Sequence, residues 1–193
     1  MRLKVIWSAL RLVLLFVVVL GLGYNLLMVG IGEAAFSGQA NGSMVTYHGR
    51  VVGSRLIGQQ FTSPRFLEGS PSATSPPYNA ASSAASNYGP TNPALLREIR
   101  TNLAAVLAEN PGVKPTQVPP DLVESSASGL DPDISPAAAY LQVPRVAKAN
   151  HLPVGAVRNL VARHVTGRFL GIYGAPHVNV LELNLALLKL VNQ

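Results

Sequence analysis

The chain has 193 residues, 48% of them hydrophobic and 12% charged, with a net charge of +6 and no cysteine. That length supports one real core rather than two, and the missing thiols exclude disulfides and thiolate metal sites. Arg2, Lys4 and Arg11 lie beside an apolar segment; from Glu33 onward twelve basic residues face nine acidic ones, thinly spread. No basic run with interleaved aromatics offers a track for a phosphate backbone, so nucleic acid is not an expected partner.

After a short basic stretch, 1–11, residues 12–32 run LVLLFVVVLGLGYNLLMVGIG without a charge. As a helix this segment spans roughly 31 Å, close to the ~30 Å hydrocarbon core of a bilayer. The rival reading is a signal peptide, with MRLK as its basic start and EAA near a cleavage site. Its apolar region would be only about 7–15 residues long, so a retained span is the better fit. The positive charge lies N-terminal to it, which predicts a cytoplasmic N-terminus and residues 33–193 outside the cytoplasm. Asn25 is the polar exception in the span. It bonds either to its own backbone or to a neighbouring membrane helix, which Gly21, Gly23, Gly30 and Gly32 would let approach.

The remainder is expected to form one small α+β domain. MVTYHG followed by RVVGSRLIGQQF predicts two short strands around a turn at His48-Gly49. A Ser/Ala/Pro-rich stretch at about 66–93 is either a mobile linker or a loop tethered by Phe66, Tyr78 and Tyr88. Asn92 as cap, Pro93 at the first helical position and an apolar stripe through Leu95, Leu96, Ile99, Leu103, Val106 and Leu107 predict a helix that ends at Pro111-Gly112. Ser135-Pro136 repeats the cap signal, and Pro144 is expected to end or kink the helix that follows. A third helix covers VGAVRNLVARHV, and the C-terminal HVNVLELNLALLKLV reads as a strand at Val178 that turns into a helix.

Catalytic patterns are missing. The four histidines, His48, His151, His164 and His177, lack metal-ligand spacing. Asp131 and Asp133 flank Pro132 without the further oxygen ligands a cation site needs, so a capped turn is the simpler role. Neither a nucleophile elbow nor a phosphate-binding glycine loop occurs. The sequence therefore points to an accessory protein without an active site, metal or resident cofactor of its own.

Several stretches in order resemble one family: QANGS (39–43), GSRLIGQQF (53–61), PSAT (71–74), YNA (78–80), SNYGPTNP (86–93), DLV (121–123), SASGLDPDISPAAAYLQVPRVAKA (126–149) and VNVLELNLAL (178–187). They match the C chain of the potassium-transporting P-type ATPase, the Kdp system, over nearly the full length. Three departures stand out: Ser70 where the family commonly has arginine, Ala84-Ala85 where it has a glycine pair, and Asn25 where it has proline. The alanine pair implies that the loop needs no left-handed backbone there.

The resemblance implies a single-pass subunit of a bacterial inner membrane pump, with its C-terminal domain in the periplasm. The partners it implies are a channel-like potassium-translocating subunit, a P-type catalytic subunit, a small one-helix subunit and membrane lipid. ATP and Mg belong to the complex rather than to this chain. The family's role is assembly, together with catalytic chaperoning that raises the ATP affinity of the catalytic subunit. The alternative is an anchored or secreted binding module with no pump. The proline-stiffened stretch 128–149 and the loop around Tyr78 are expected to form an assembly surface, with Tyr78, Asn87, Tyr88, Asp131, Asp133, Gln142, Arg145 and Lys148 as interface residues and Asn25 as a membrane helix contact.

Overall fold

The computed structural model describes residues 2–192, in two units divided between Met44 and Val45. In the first unit one apolar helix runs from Leu3 to Ala40, long enough to cross a membrane and with none of its most apolar window buried. It consists of α1 (Arg2–Phe16), a π-helical stretch (Val17–Tyr24) and α2 (Asn25–Ala40). The helical run therefore extends beyond 12–32 on both sides. The wide turns end at Asn25, whose side-chain amide donates to the Gly21 carbonyl, the first of the two roles expected for it. A side chain that competes for the carbonyl one turn back loosens the regular ladder at that point. Phe36 interrupts α2 with φ −139° and ψ 41°, and the helix ends where Asn41 donates from Nδ2 to Ser37 O and Glu33 Oε2.

At the boundary begins β1 (Met44–Tyr47), which pairs with β2 (Arg50–Ser54) in a two-stranded sheet. His48 and Gly49 both have positive φ, 49° and 75°, the two-residue turn that matches the twist of paired strands. Next come α3 (Pro93–Glu109), two single 3₁₀ turns (Pro115–Gln117 and Pro120–Leu122), β3 (Asp133–Ile134), α4 (Pro136–Ala149), α5 (Val154–His164), β4 (Val178–Asn179) and α6 (Val180–Val191). β3 and β4 pair antiparallel, Asp133 opposite Asn179 and Ile134 opposite Val178. The predicted caps are in place. Asn92 accepts from Ala94 N at 2.8 Å, and Ser135 Oγ from Ala138 N at 3.1 Å. Asp121 holds Ser135 in turn, accepting from its backbone N at 2.6 Å and from its hydroxyl at 3.1 Å.

Pro144 neither ends α4 nor divides it; the helix continues to Ala149. Pro144 lies on the exposed face, while Ala139 and Val143 before it and Val146 and Ala147 after it are all buried. One lost backbone hydrogen bond on the solvent side is outweighed by a continuous buried stripe. The core is formed by α4, α5 and α6, where Val146, Val157, Val161, Leu183 and Leu187 pack with Ile134 and Leu67. The apolar stripe of α3 contributes less than its pattern promises. None of its residues is fully buried, and Leu96 is 46% exposed.

Leu67 is the one fully buried core residue from the long loop, and it belongs to no strand. Side-chain amides replace the strand partner. Asn184 on α6 accepts from Leu67 N at 2.9 Å and donates to Leu67 O at 2.8 Å. Gln142 on α4 accepts from Glu68 N at 2.9 Å and donates to Glu68 O at 3.1 Å. Asn150, capping α4, donates to Arg65 O at 2.7 Å. A buried peptide group without such partners is costly, so the amides are structural requirements. Asn184→Ala should lower stability by about 2–4 kcal/mol, since it strands both polar groups of Leu67. Ser82→Ala, on the exposed loop, should stay within about 0.5 kcal/mol. Thermal unfolding of the detergent-solubilised chain measures both, and equal melting temperatures would contradict the clamp.

Candidate functional site

The amide clamp sets the path of residues 65–72, and the polar centre of the domain is built on that path. Tyr78 has a left-handed backbone, φ 58°, and its hydroxyl donates to Ser70 O at 2.5 Å. Its backbone N donates to Ser72 Oγ at 2.9 Å, and Ser72 Oγ donates to Gly129 O at 2.6 Å. Two glycines make room for the ring. A Cβ at Gly58 would lie 2.7 Å from Tyr78 Cε1 and 2.4 Å from Asp131 O, and one at Gly69 would lie 2.6 Å from the Tyr78 hydroxyl. Burial, and then the nearby Asp131 and Glu68 carboxylates, push the Tyr78 phenol up to about 12. It stays protonated and donating.

The stretch after Tyr78 is also tied down. Ala84 N and Ser83 Oγ both donate to Ser128 O, at 3.0 and 2.9 Å. Tyr78 is thus a tether of the loop, while Tyr88, expected to be another, is 44% exposed. The left-handed residues are Tyr78 and Asn87 rather than Ala84 or Ala85, as the alanine pair implies.

Asp131 has the turn role expected from its sequence: Oδ1 accepts from Asp133 N at 3.0 Å. Asp133 Oδ1 accepts from Asn179 Nδ2 at 3.0 Å, and its Oδ2 stands 3.8 Å from His177 Nε2. Burial raises the Asp133 pKa; His177 and the Asn179 amide oppose this, and Asp131 and Glu182 add to it.

Gln142 and Arg145 lie inside the domain rather than on an open surface. Gln142 is 2% exposed, and the Arg145 side chain 7%. Arg145 donates to Gln142 Oε1 at 2.7 Å and to the Pro64 and Phe66 carbonyls at 3.2 Å each. Its Nη1 stands 3.4 Å from Glu68 Oε1. Arg145, expected among the interface residues, instead pairs with Glu68 of its own chain. Asn87, Tyr88 and Lys148 are exposed.

Arg145, Gln142 and Tyr78 line a cleft of about 380 Å³ together with Glu68, Glu109 and Asn110. Burial pushes the Glu68 carboxyl up to about 7, against the pull of Arg145; Glu109 raises it further through like charge and a shared hydrogen bond. Among the described residues, no group of three or more His, Cys, Asp or Glu is placed to hold a metal ion.

Sequence reasoning missed Glu68, the clamp residues Asn150 and Asn184, and one surface feature. Residues 166–177 form a hairpin with bridges Thr166–His177 and Phe169–Tyr173. At its tip Phe169, Leu170, Ile172 and Tyr173 are each about 70% exposed. Apolar residues punctuated by Gly167, Gly171 and Gly174 were the available signal.

The chain thus combines an apolar helix of membrane-spanning length with a small α+β domain whose polar centre is occupied by its own loops. The KdpC family profile, described as K+-transporting ATPase, c chain, matches residues 6–189. The chain is 51% identical over 179 residues to the potassium-transporting ATPase KdpC subunit of Caldanaerobacter subterraneus subsp. tengcongensis, covering 93% of this chain and 92% of that one. It is 57% identical over 171 residues to the protein of the same name from Paraburkholderia phytofirmans, covering 88% of each. With the Sorangium cellulosum protein of that name the identity is 55% over 181 residues, covering 93% and 94%. The chain belongs to the KdpC family, the c chains of K+-transporting ATPases.

The cleft gives a pH prediction. A carboxyl with a raised folded-state pKa holds a proton that the unfolded chain has already released. Between its ordinary value of 4.5 and about 7, stability therefore falls as pH rises. Glu68→Gln should flatten the decline in melting temperature between pH 5 and pH 8. An unchanged slope would remove Glu68 from that role.

Proposed function

We propose that this chain is the accessory subunit of an ATP-driven potassium uptake pump in a bacterial inner membrane. In this reading the N-terminus is cytoplasmic and the α+β domain periplasmic. The observation that carries the proposal is the family match over residues 6–189 in a chain that opens on one helix of membrane-spanning length. The basic residues on the N-terminal side of that helix favour the orientation. The partners are the channel-like potassium-translocating subunit, the P-type catalytic subunit and the small one-helix subunit.

The domain's part is assembly. A loop fixed in advance by Tyr78, Gly58 and the amide clamp loses little freedom on association, which lowers the cost of binding. Asn87, Tyr88 and Lys148 are the exposed members of the expected contact surface, and Asn25, whose amide nitrogen is bonded to the Gly21 carbonyl, offers its side-chain oxygen as the candidate contact within the membrane. Any rise in the nucleotide affinity of the catalytic subunit reaches ATP across the bilayer, as a coupling free energy carried by membrane helices rather than by contact with nucleotide.

A reporter fused after Gln193 should behave as exported, with the N-terminus intact by mass analysis; a cytoplasmic reporter would overturn the orientation. In copurification from membranes, Tyr88→Ala should reduce the other pump subunits recovered by about fivefold or more, the loss expected of an aromatic anchor. Lys148→Ala should change recovery by less than about twofold, as expected for an exposed charge. Full recovery with both variants would sink the loop as an assembly surface.

A further inference from the structure

The hairpin at residues 166–177 has no role in the core or in the polar cleft. Its tip places Phe169, Leu170, Ile172 and Tyr173, exposed by 71%, 75%, 71% and 67%, within five consecutive residues. Isolated exposed apolar residues are ordinary, but a contiguous group of four large ones marks a contact surface.

The backbone at the tip strengthens that reading. Leu170 has φ 52° and the following Gly171 φ 74°. The left-handed region suits glycine or asparagine; leucine brings no polar atom that would ease it. Leucine there, 75% exposed, leaves its side chain open to whatever meets the tip from outside.

Two observations identify the occupant. The first is that four of the five N–H groups of the tip are paired within the hairpin. Phe169 N donates to Tyr173 O at 2.9 Å, Tyr173 N to Phe169 O at 3.0 Å, Ile172 N to Phe169 O at 3.1 Å and Gly171 N to Arg168 O at 3.1 Å. A segment that enters a water-poor layer needs this, because lipid offers no hydrogen-bond partner. The second is charge. Residues 134–181 contain no Asp or Glu, while Arg145, Lys148, Arg158, Arg163 and Arg168 lie among them. Four of these five are exposed, all but Arg145. An aromatic and aliphatic tip with exposed arginines close in sequence, Arg163 and Arg168, fits the boundary between anionic headgroups and acyl chains.

We propose that the Phe169–Tyr173 tip inserts into the headgroup region of an anionic lipid surface, with Arg163 and Arg168 meeting the lipid phosphates. This rests on the reading of the N-terminal helix as a membrane span, which would hold the domain at a bilayer and make even a weak insertion effective.

The absence of native cysteine allows single-site spin labelling of the full chain. Leu170→Cys and Ile172→Cys, with Ala162→Cys on the exposed part of α5 as control, are labelled with a nitroxide. The chain is reconstituted alone and in the copurified pump, in vesicles of phosphatidylethanolamine and phosphatidylglycerol. Both tip labels should be accessible to oxygen and shielded from a water-soluble nickel chelate, while the control is open to nickel. Tip labels open to nickel in both preparations would overturn the proposal. Tip labels shielded from oxygen and nickel alike in the pump would also overturn it, by placing a protein there instead. Equal depth in pure phosphatidylcholine vesicles would overturn the role given to the arginines. Failure of the other subunits to copurify would count against the pump reading alone, since the labelled chain by itself still decides the tip.

Discussion

A buried peptide group must have a hydrogen-bond partner, and here side chains supply it to a segment that has no strand beside it. Asn184, Gln142 and Asn150 come from α6, from α4 and from the cap of α4, and between them they hold Arg65, Leu67 and Glu68. With Leu67 thus able to enter the core, the chain leaving it is aimed at the α3–α4 side, where Glu68 meets Arg145 and Ser70 meets Tyr78. If the amides were lost, the long loop would have no fixed starting point.

The loop that follows is ordered without regular secondary structure. Short hydroxyl and amide bonds at Ser72, Thr74 and Asn79 take the place of a ladder. The glycines mark the closest approaches: at Gly58 and Gly129 any side chain would strike backbone oxygen, of Asp131 and of Ala84 respectively. The stretch 128–149, whose prolines and acids first raise the question of chemistry, serves this geometry. Asp131 closes a turn, Ser135 caps a helix, and Gln142 and Arg145 hold the loop from the other side.

The two units follow different rules. The helix from Leu3 to Ala40 keeps its backbone bonds within itself and leaves its apolar side chains uncovered, as lipid requires. The domain buries a modest helical core around α4, α5 and α6. It leaves the hairpin tip exposed, in a stretch, 134–181, that holds basic residues and no Asp or Glu.

Local signals were legible in the sequence because their physics is local. Caps at Asn92 and Ser135, the His48-Gly49 turn, the apolar span and the strand-to-helix change at Val178–Val180 each depend on a few neighbouring residues. Family membership was legible in the order of motifs. The tertiary structure alone decided where the polar side chains are used. Arg145 looks like a surface charge until Pro64, Phe66, Gln142 and Glu68 are brought around it, and Tyr78 looks like a binding aromatic until Ser70 takes its hydroxyl. Pro144 reads as a helix breaker until burial on both sides of it outweighs one missing bond. In α3, conversely, periodicity promised a core face that the packing only half covers. A sequence records which groups need partners; contacts between residues as far apart as Leu67 and Asn184 determine which partners they find.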